Sequence, residues 1–202
     1  STGQTVVSGN LNSTTSVYGS TNDYMAIQNW SVVAGRDFED GEMQAGKPVC
    51  ILGNTVRKTL FGNGDPVGEK IRVKNLSCEV IGLLATRGAG SFGQDQDDAV
   101  MMPVTAVQRR LVGNNDVPSI SVALKKSATS AQGIAQIQAL MRERRGISVG
   151  EDDDFSVRDM AEISAILTGI NSVLTGLLSS VAAVSLLVGG IGIMNIMLVS
   201  VT

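Results

Sequence analysis

The sequence contains no histidine. A Ser-His hydrolytic triad and any zinc site built on imidazole are thereby excluded. Its two cysteines, Cys50 and Cys78, are too few for a four-thiolate zinc centre. Outside the cytoplasm they can pair as a disulfide; otherwise they are two buried thiols, and their spacing leaves both readings open. Aromatic residues make up only 3% of a chain that is 43% hydrophobic. The apolar content is therefore aliphatic, which suits a β-rich core or a membrane helix better than a stacking surface. The net charge is −3 and the pI is near 5.0, so no basic excess points to nucleic acid as a partner. No Gly-Lys-Ser or Gly-Lys-Thr occurs, so there is no P-loop.

One further absence is local. All 35 charged residues (16 basic plus 19 acidic) lie at or before Glu162. Residues 163–202 carry no charge. Such a boundary implies two different solvents. The stretch 174–200 is long and apolar enough to cross a bilayer, which takes about 20 residues. The charge-free tail as a single helix would reach roughly 60 Å, twice the hydrocarbon thickness. Residues 159–173 are therefore expected to stand outside the membrane as a helical stalk. Asp159 is placed to cap that helix, with Glu162 three residues on as in a capping box. Within the span, Ser185, Gly189, Gly190 and Gly192 supply the small side chains that let two membrane helices approach. Asn195 can hydrogen-bond across such a contact. The flank 151–162 holds six acidic residues and one basic one, Arg158. Cytoplasmic flanks are rich in Lys and Arg, so the folded part is expected to face outward. Ser1 is not an initiator and no signal peptide precedes it, so the chain reads as an internal piece of a longer protein.

Period and punctuation give the folded part an α+β reading. Strands are expected over 4–8, 12–18, 48–52 and 99–103, and a hairpin around Asn75. Helices are expected over 23–28 behind a Thr21 or Asn22 cap, over 54–61 and over 104–111. Residues 86–98 form a loop. Residues 119–124 alternate as a strand, 130–145 make an amphipathic helix with Ile134, Ile137, Leu140 and Met141 inward, and 155–158 make a short strand. Strand, helix, strand predicts a right-handed βαβ crossover. Its second strand runs straight into the stalk through a joint at Arg158 and Asp159, where movement would pass to the membrane helix.

The candidate chemistry is thin. Asp95, Asp97 and Asp98 form a carboxylate cluster, but without the glycine and terminal glutamate of a calcium-binding loop; a solvated loop is the better reading. Nothing builds a sugar cleft around those carboxylates. Gly88, Gly90 and Gly93 do not open a helix, so they are not a dinucleotide fingerprint. Arg142, Arg144 and Arg145 end a helix, where cations complement the dipole. No catalytic, cofactor or metal residues are assigned.

The stretch SLLVGGIGIMNIMLVSVT at 185–202 resembles the second transmembrane helix of MacB-type ABC transporter permeases. AGRDFEDGE at 34–42, DPVGEKIRVKN at 65–75, VIGLLA at 80–85 and SFGQDQDDAVMMP at 91–103 are also similar to that family, in order along nearly the whole chain. The resemblance implies a periplasmic core domain over 1–158. Its porter-like βαβ parts would lie at about 1–24 and 118–158, with an inserted β-rich subdomain at about 25–111. It places the chain in the bacterial inner membrane with its soluble part periplasmic, as part of a homodimer. It implies that ATP is used by a nucleotide-binding domain elsewhere and that no cofactor binds here. Partners would be a MacA-type adaptor and a TolC-type outer-membrane channel, with macrolides, peptides or toxins as cargo. Alternatives are a lipoprotein-releasing permease and a permease-like regulator of a cell-wall hydrolase.

Overall fold

The structure is a computed structural model that describes residues 2–90, 93–125, 128–148 and 150–200; the side chains of Thr2, Gly192 and residues 195–200 lie outside that description. The chain divides into two compact units, Ser1–Ala123 and Leu124–Thr202.

The first unit is built on seven strands: β1 (Thr2–Ser8), β2 (Leu11–Ser20), β3 (Val32–Gly35), β4 (Val49–Leu52), β5 (Lys70–Val73), β6 (Leu76–Leu84) and β7 (Ala99–Pro103). Their order is β3-β6-β4-β7-β2-β1-β5, and β5 returns to pair with β6. The sheet thus closes on itself through β6, β4, β7, β2, β1 and β5, leaving β3 as an appended edge strand. Closure is possible because β6 is long enough to serve three partners. Its first half pairs antiparallel with β5 over Leu76 to Glu79. Residues from Glu79 to Leu83 pair parallel with β4, and Gly82 to Leu84 pair antiparallel with β3.

The burial pattern explains which strands sit centrally. Every residue of β4 and β7 is buried, as expected for continuous apolar runs covered on both faces. Cys50 and Leu52 of β4 join a cluster with Val6, Val17, Ile71, Val73, Cys78, Val80, Val100 and Met102. Val49 and Ile51 point the other way, into a cluster with Met25, Phe38, Ile81, Leu84 and Met101. Alternation along one strand thus feeds two cores. Helix α1 (Asn22–Ile27) puts Met25 into the second cluster, while α3 (Asn54–Phe61) puts Val56 and Leu60 into the first. Thr21 caps α1, its hydroxyl accepting from the Tyr24 amide. Helix α4 (Val104–Ala106) continues into a wider π-helical stretch, Val107–Val112, that ends on Gly113 in a left-handed conformation. Cys50 and Cys78, whose pairing the sequence left open, are joined as a disulfide between β4 and β6, with Cα atoms 6.1 Å apart.

Two segments differ from expectation. Residues 119–124 and 155–158 are irregular, so the crossover expected around 130–145 does not form. The intervening helix α5 (Ser130–Arg145) does form, with a Thr129–Gln132 capping box and Gly146 at its end. The difference is physical. A helix satisfies its backbone internally, whereas a strand needs a neighbour's ladder, and alternation specifies a face without supplying that neighbour. The anticipated inner face of α5 is correspondingly half-covered: Ile134, Ile137 and Met141 are half-buried and Leu140 is exposed.

Strand β2 pairs parallel with β7 from Ser16 opposite Ala99 to Ser20 opposite Pro103. Val6 and Val17 belong to the same core as Val100. Strand β3 and helix α2 (Asp40–Ala45) were not anticipated. Four residues is too short for a period to show, and α2 is capped by Glu39, which is not a typical N-cap residue.

Gly35 marks where the edge strand meets β6. Its φ is +79°, and a Cβ there would lie 2.1 Å from the Ile81 carbonyl oxygen. Gly41, inside α2, has open space around its Cβ position. Gly35→Ala is expected to lower unfolding stability by at least about 2 kcal/mol, and Gly41→Ala to be neutral or slightly stabilising. Denaturant titration of the detergent-solubilised protein checks both.

Candidate functional site

The joint anticipated from the sequence lies in the second unit, where α5, an acidic connector and α6 (Met160–Ser200) follow one another. The Asp159 carboxylate accepts from the Ala161 amide at 2.8 Å, and its carbonyl accepts from the Ile163 amide at 3.2 Å. Asp159 is therefore the cap that starts α6. The reciprocal bond expected of Glu162 is not among those present in the described residues. Arg158 immediately before it is exposed.

Upstream, the acidic run has a structural task the sequence did not reveal. Arg142 donates to Asp153, to the Ser148 carbonyl at 2.6 Å and to the Glu151 carbonyl at 3.0 Å. Arg145 donates to Asp154, and the Ser148 amide donates to the Glu151 carboxylate at 2.9 Å. The arginines do lie at a helix end, but they also clasp the connector that leads to α6. The Arg142 and Asp153 side chains are 29% and 28% exposed, so water still reaches this pair. Such charge-assisted bonds are stronger than neutral ones. The signal available in the sequence was three arginines followed within ten residues by four consecutive acids.

Helix α6 runs 41 residues, roughly 60 Å at the α-helical rise. The stretch Met160–Ile191 is long and apolar enough to cross a membrane. Large apolar side chains stand out on every side, Leu186 and Leu178 among them. Thr168, Thr175 and Ser180 each donate to the carbonyl four residues earlier, which keeps these hydroxyls satisfied away from water. Ser185, Gly189 and Gly190 are exposed, and Cβ atoms at either glycine would meet nothing within 4 Å. Ser185 and Gly189 are four residues apart and so share a face. Gly190 floors a shallow apolar notch walled by Leu186, Leu187, Ile191 and Met194. The side-chain surroundings of Gly192 and Asn195 lie outside the described residues.

In the first unit two of the motifs resolve into framework contacts. Within 34–42, Arg36 donates to both oxygens of Glu42, at 2.8 and 2.9 Å. The same carboxylate accepts from the Glu39 amide at 3.1 Å, closing the α2 capping box. Glu42 is 4% exposed, and the Arg36 hydrogen bonds pull its carboxyl down to about 2. In the 86–98 loop, Asp97 is buried rather than solvated: it accepts from the Arg87 and Gly88 amides at 2.8 and 3.0 Å. Asp95 accepts from the Asp97 amide and from the Thr55 hydroxyl, at 2.9 and 2.6 Å. These carboxylates are occupied in pinning the loop to α3. The Arg87 guanidinium lies 5.4 Å from the centre of the Trp30 ring, a further tie. No group of three or more potential metal ligands is found among the described residues.

The profile of the MacB-like periplasmic core domain matches residues 1–140. The chain belongs to the MacB-like family. A macrolide export ATP-binding/permease protein, MacB, from Rhodospirillum rubrum is 41% identical over 93% of the chain and 28% of the relative. A MacB protein from Wolinella succinogenes is 37% identical over 96% of the chain and 30% of the relative. A pyoverdine export ATP-binding/permease protein from Pseudomonas entomophila is 37% identical over 88% of the chain and 27% of the relative. The chain therefore spans less than a third of the length of these curated relatives. Among solved structures, the periplasmic region of MacB from Actinobacillus actinomycetemcomitans superposes with a TM-score of 0.69, at 20% identity, over 83% of this chain and 72% of that one. The likeness supports the α+β fold with one long apolar helix at the end. In this MacB-like domain the motif at 34–42 and residues 93–103 thus serve packing and loop anchorage.

Glu42 provides a pH test of that framework. Its folded pKa of about 2 lies below the ordinary 4.5. Stability from the pair is therefore fully present above the unfolded value and is lost as pH falls through the folded one. Glu42→Gln should cost about 2 kcal/mol near neutral pH, allowing for the half-exposed Arg36 partner. The wild type should then lose that advantage over the variant between about pH 5 and about pH 2. Denaturant midpoints measured for both proteins across that range check the prediction; parallel curves would contradict it.

Proposed function

We propose that this chain is the periplasmic and adjoining membrane-helix part of the permease of an ABC-type exporter. It would couple ATP hydrolysis in a cytoplasmic nucleotide-binding domain to a shape change in the periplasm. Export would then proceed through a MacA-type adaptor and a TolC-type outer-membrane channel. Macrolides, peptides, toxins or pyoverdine are the cargoes in view, the last from the pyoverdine-export relative. The protein would act as a homodimer in the bacterial inner membrane, with α6 against its copy through Ser185, Gly189 and Gly190.

The observation that carries this reading is the single clasped route into α6. Helix α5, the connector held by Arg142 and Arg145, and the Asp159 cap lie in series along the chain. A rigid connector transmits force and a flexible one dissipates it.

A flexible Gly-Ser spacer between Arg158 and Asp159 of the full-length protein should leave ATP turnover intact and abolish export, measured as cargo efflux from cells. Full export with the spacer would end the proposal. In the same assay Gly189→Leu or Gly190→Leu should reduce export at normal expression, because the added side chains keep two helices from close approach. Unchanged export would remove the helix-contact assignment while leaving the joint untouched.

A further inference from the structure

The Cys50–Cys78 pair sits where no reductant or oxidant can reach it. Both residues are 0% exposed, as are Leu52, Val73 and Val80 around them, and Ile71 is 1% exposed. Their Cα separation of 6.1 Å falls inside the window of about 4.4–6.8 Å that a disulfide requires. Cys50 pairs in register with Val80 of β6, and Cys78 with Ile71 of β5. The crosslink therefore joins the two strands at the parallel β4–β6 ladder and encloses the whole α3–β5 crossover between them, a sequence separation of 28. A thiol in an apolar core resists ionisation, and exchange requires a thiolate with open access to a sulphur. Neither condition holds once β4 and β6 have closed.

We propose that Cys50 and Cys78 are a substrate for a periplasmic thiol-disulfide oxidant that acts during folding, after which the core seals the bond. The inference rests on the periplasmic placement of this domain. One cysteine, as thiolate, attacks the oxidant's disulfide and forms a mixed disulfide, releasing one oxidant thiolate. The second cysteine, also losing its proton, attacks the first cysteine's sulphur in that mixed disulfide and expels the second oxidant thiolate. The Cys50–Cys78 bond forms, the oxidant leaves as a dithiol carrying the two electrons, and the protons balance. The parallel β4–β6 contact is non-local and intrinsically slow to form, so the thiols stay available while the oxidant works.

The test uses the full-length protein, quenched in acid from intact cells. In denaturant without reductant, neither cysteine should react with iodoacetamide; after reduction both should, by peptide mass. Alkylation of both without reductant overturns the proposal. A phosphine reductant applied to the folded protein should leave the bond in place and should cleave it in denaturant; equal cleavage in both states overturns the sealing. In a bacterial host lacking its periplasmic thiol oxidant the pair should be recovered at least several-fold more reduced, and an unchanged oxidised fraction overturns the assigned partner. Labelling of exposed Lys125 with a membrane-impermeant amine reagent reports sidedness separately. Outside labelling with reduced thiols overturns the disulfide alone, whereas labelling only after cell lysis overturns the periplasmic placement and the proposal with it.

Discussion

The first unit depends on β6 having partners along both edges. Glu79 alone is opposite Lys70 of β5 and Val49 of β4. Because β5 also reaches β1, pairing Val6 with Val73, those two attachments turn a sheet into a ring. Among the described strands β3 lies outside that ring, and its ladder is irregular between Val32 and Ala34. Irregular, short edges are how sheets avoid pairing with strangers. The same closure makes the two core clusters mutually dependent. Residues 49 to 52 alternate between them, so β4 cannot slip by one residue without emptying both.

That arrangement explains what could be read from the residues and what could not. Strands β4 and β7, α3 and the β5–β6 hairpin announce themselves through continuous apolar runs, a turn at Lys74–Asn75 and helix punctuation. All depend on signals within a few residues. The βαβ unit was a different kind of inference. Ile120, Val122 and Leu124 alternate as a strand should, yet strandedness is a property of two segments, and periodicity in one cannot supply the other. Conversely β1 and β2 read correctly as strands, but their partners are not legible locally. Nothing local tells Val17 that it will meet Val100. The Arg36–Glu42 pair was invisible for another reason: its partners are six residues apart across an extended turn, which no helical or strand spacing rule brings together.

The acidic flank illustrates how one composition signal can carry two causes. As a run of like charge before an apolar helix it argues for an outward-facing domain. In the folded chain Asp153 and Asp154 are also held by Arg142 and Arg145. Both causes act on the same residues without conflict, because a clasp outside the membrane needs charges that can tolerate water. The carboxylates of the 86–98 loop show the reverse relation. Their alternation resembles a ligand array, but Asp95 and Asp97 spend their oxygens on backbone amides and Thr55. Acceptors already committed to fixed donors are poorly placed to surround a cation as well.

Helix α6 brings these threads to one physical limit. A helix of 41 residues with no charge beyond Glu162 exceeds what a hydrocarbon layer of about 30 Å can hold. Its cap, Asp159, and its one charged residue, Glu162, both lie at the end nearest the clasp. A displacement at the capped end would travel along a hydrogen-bonded rod with nothing inside the first two turns to absorb it, Gly169 being the earliest glycine. The connector before Asp159 is the opposite: irregular backbone whose shape is held by side chains. Stiffness in α6 is intrinsic to its backbone, while stiffness in the connector is lent by two arginines. The shape of the connector is thus set by two side chains on the last turns of α5, well before α6 begins.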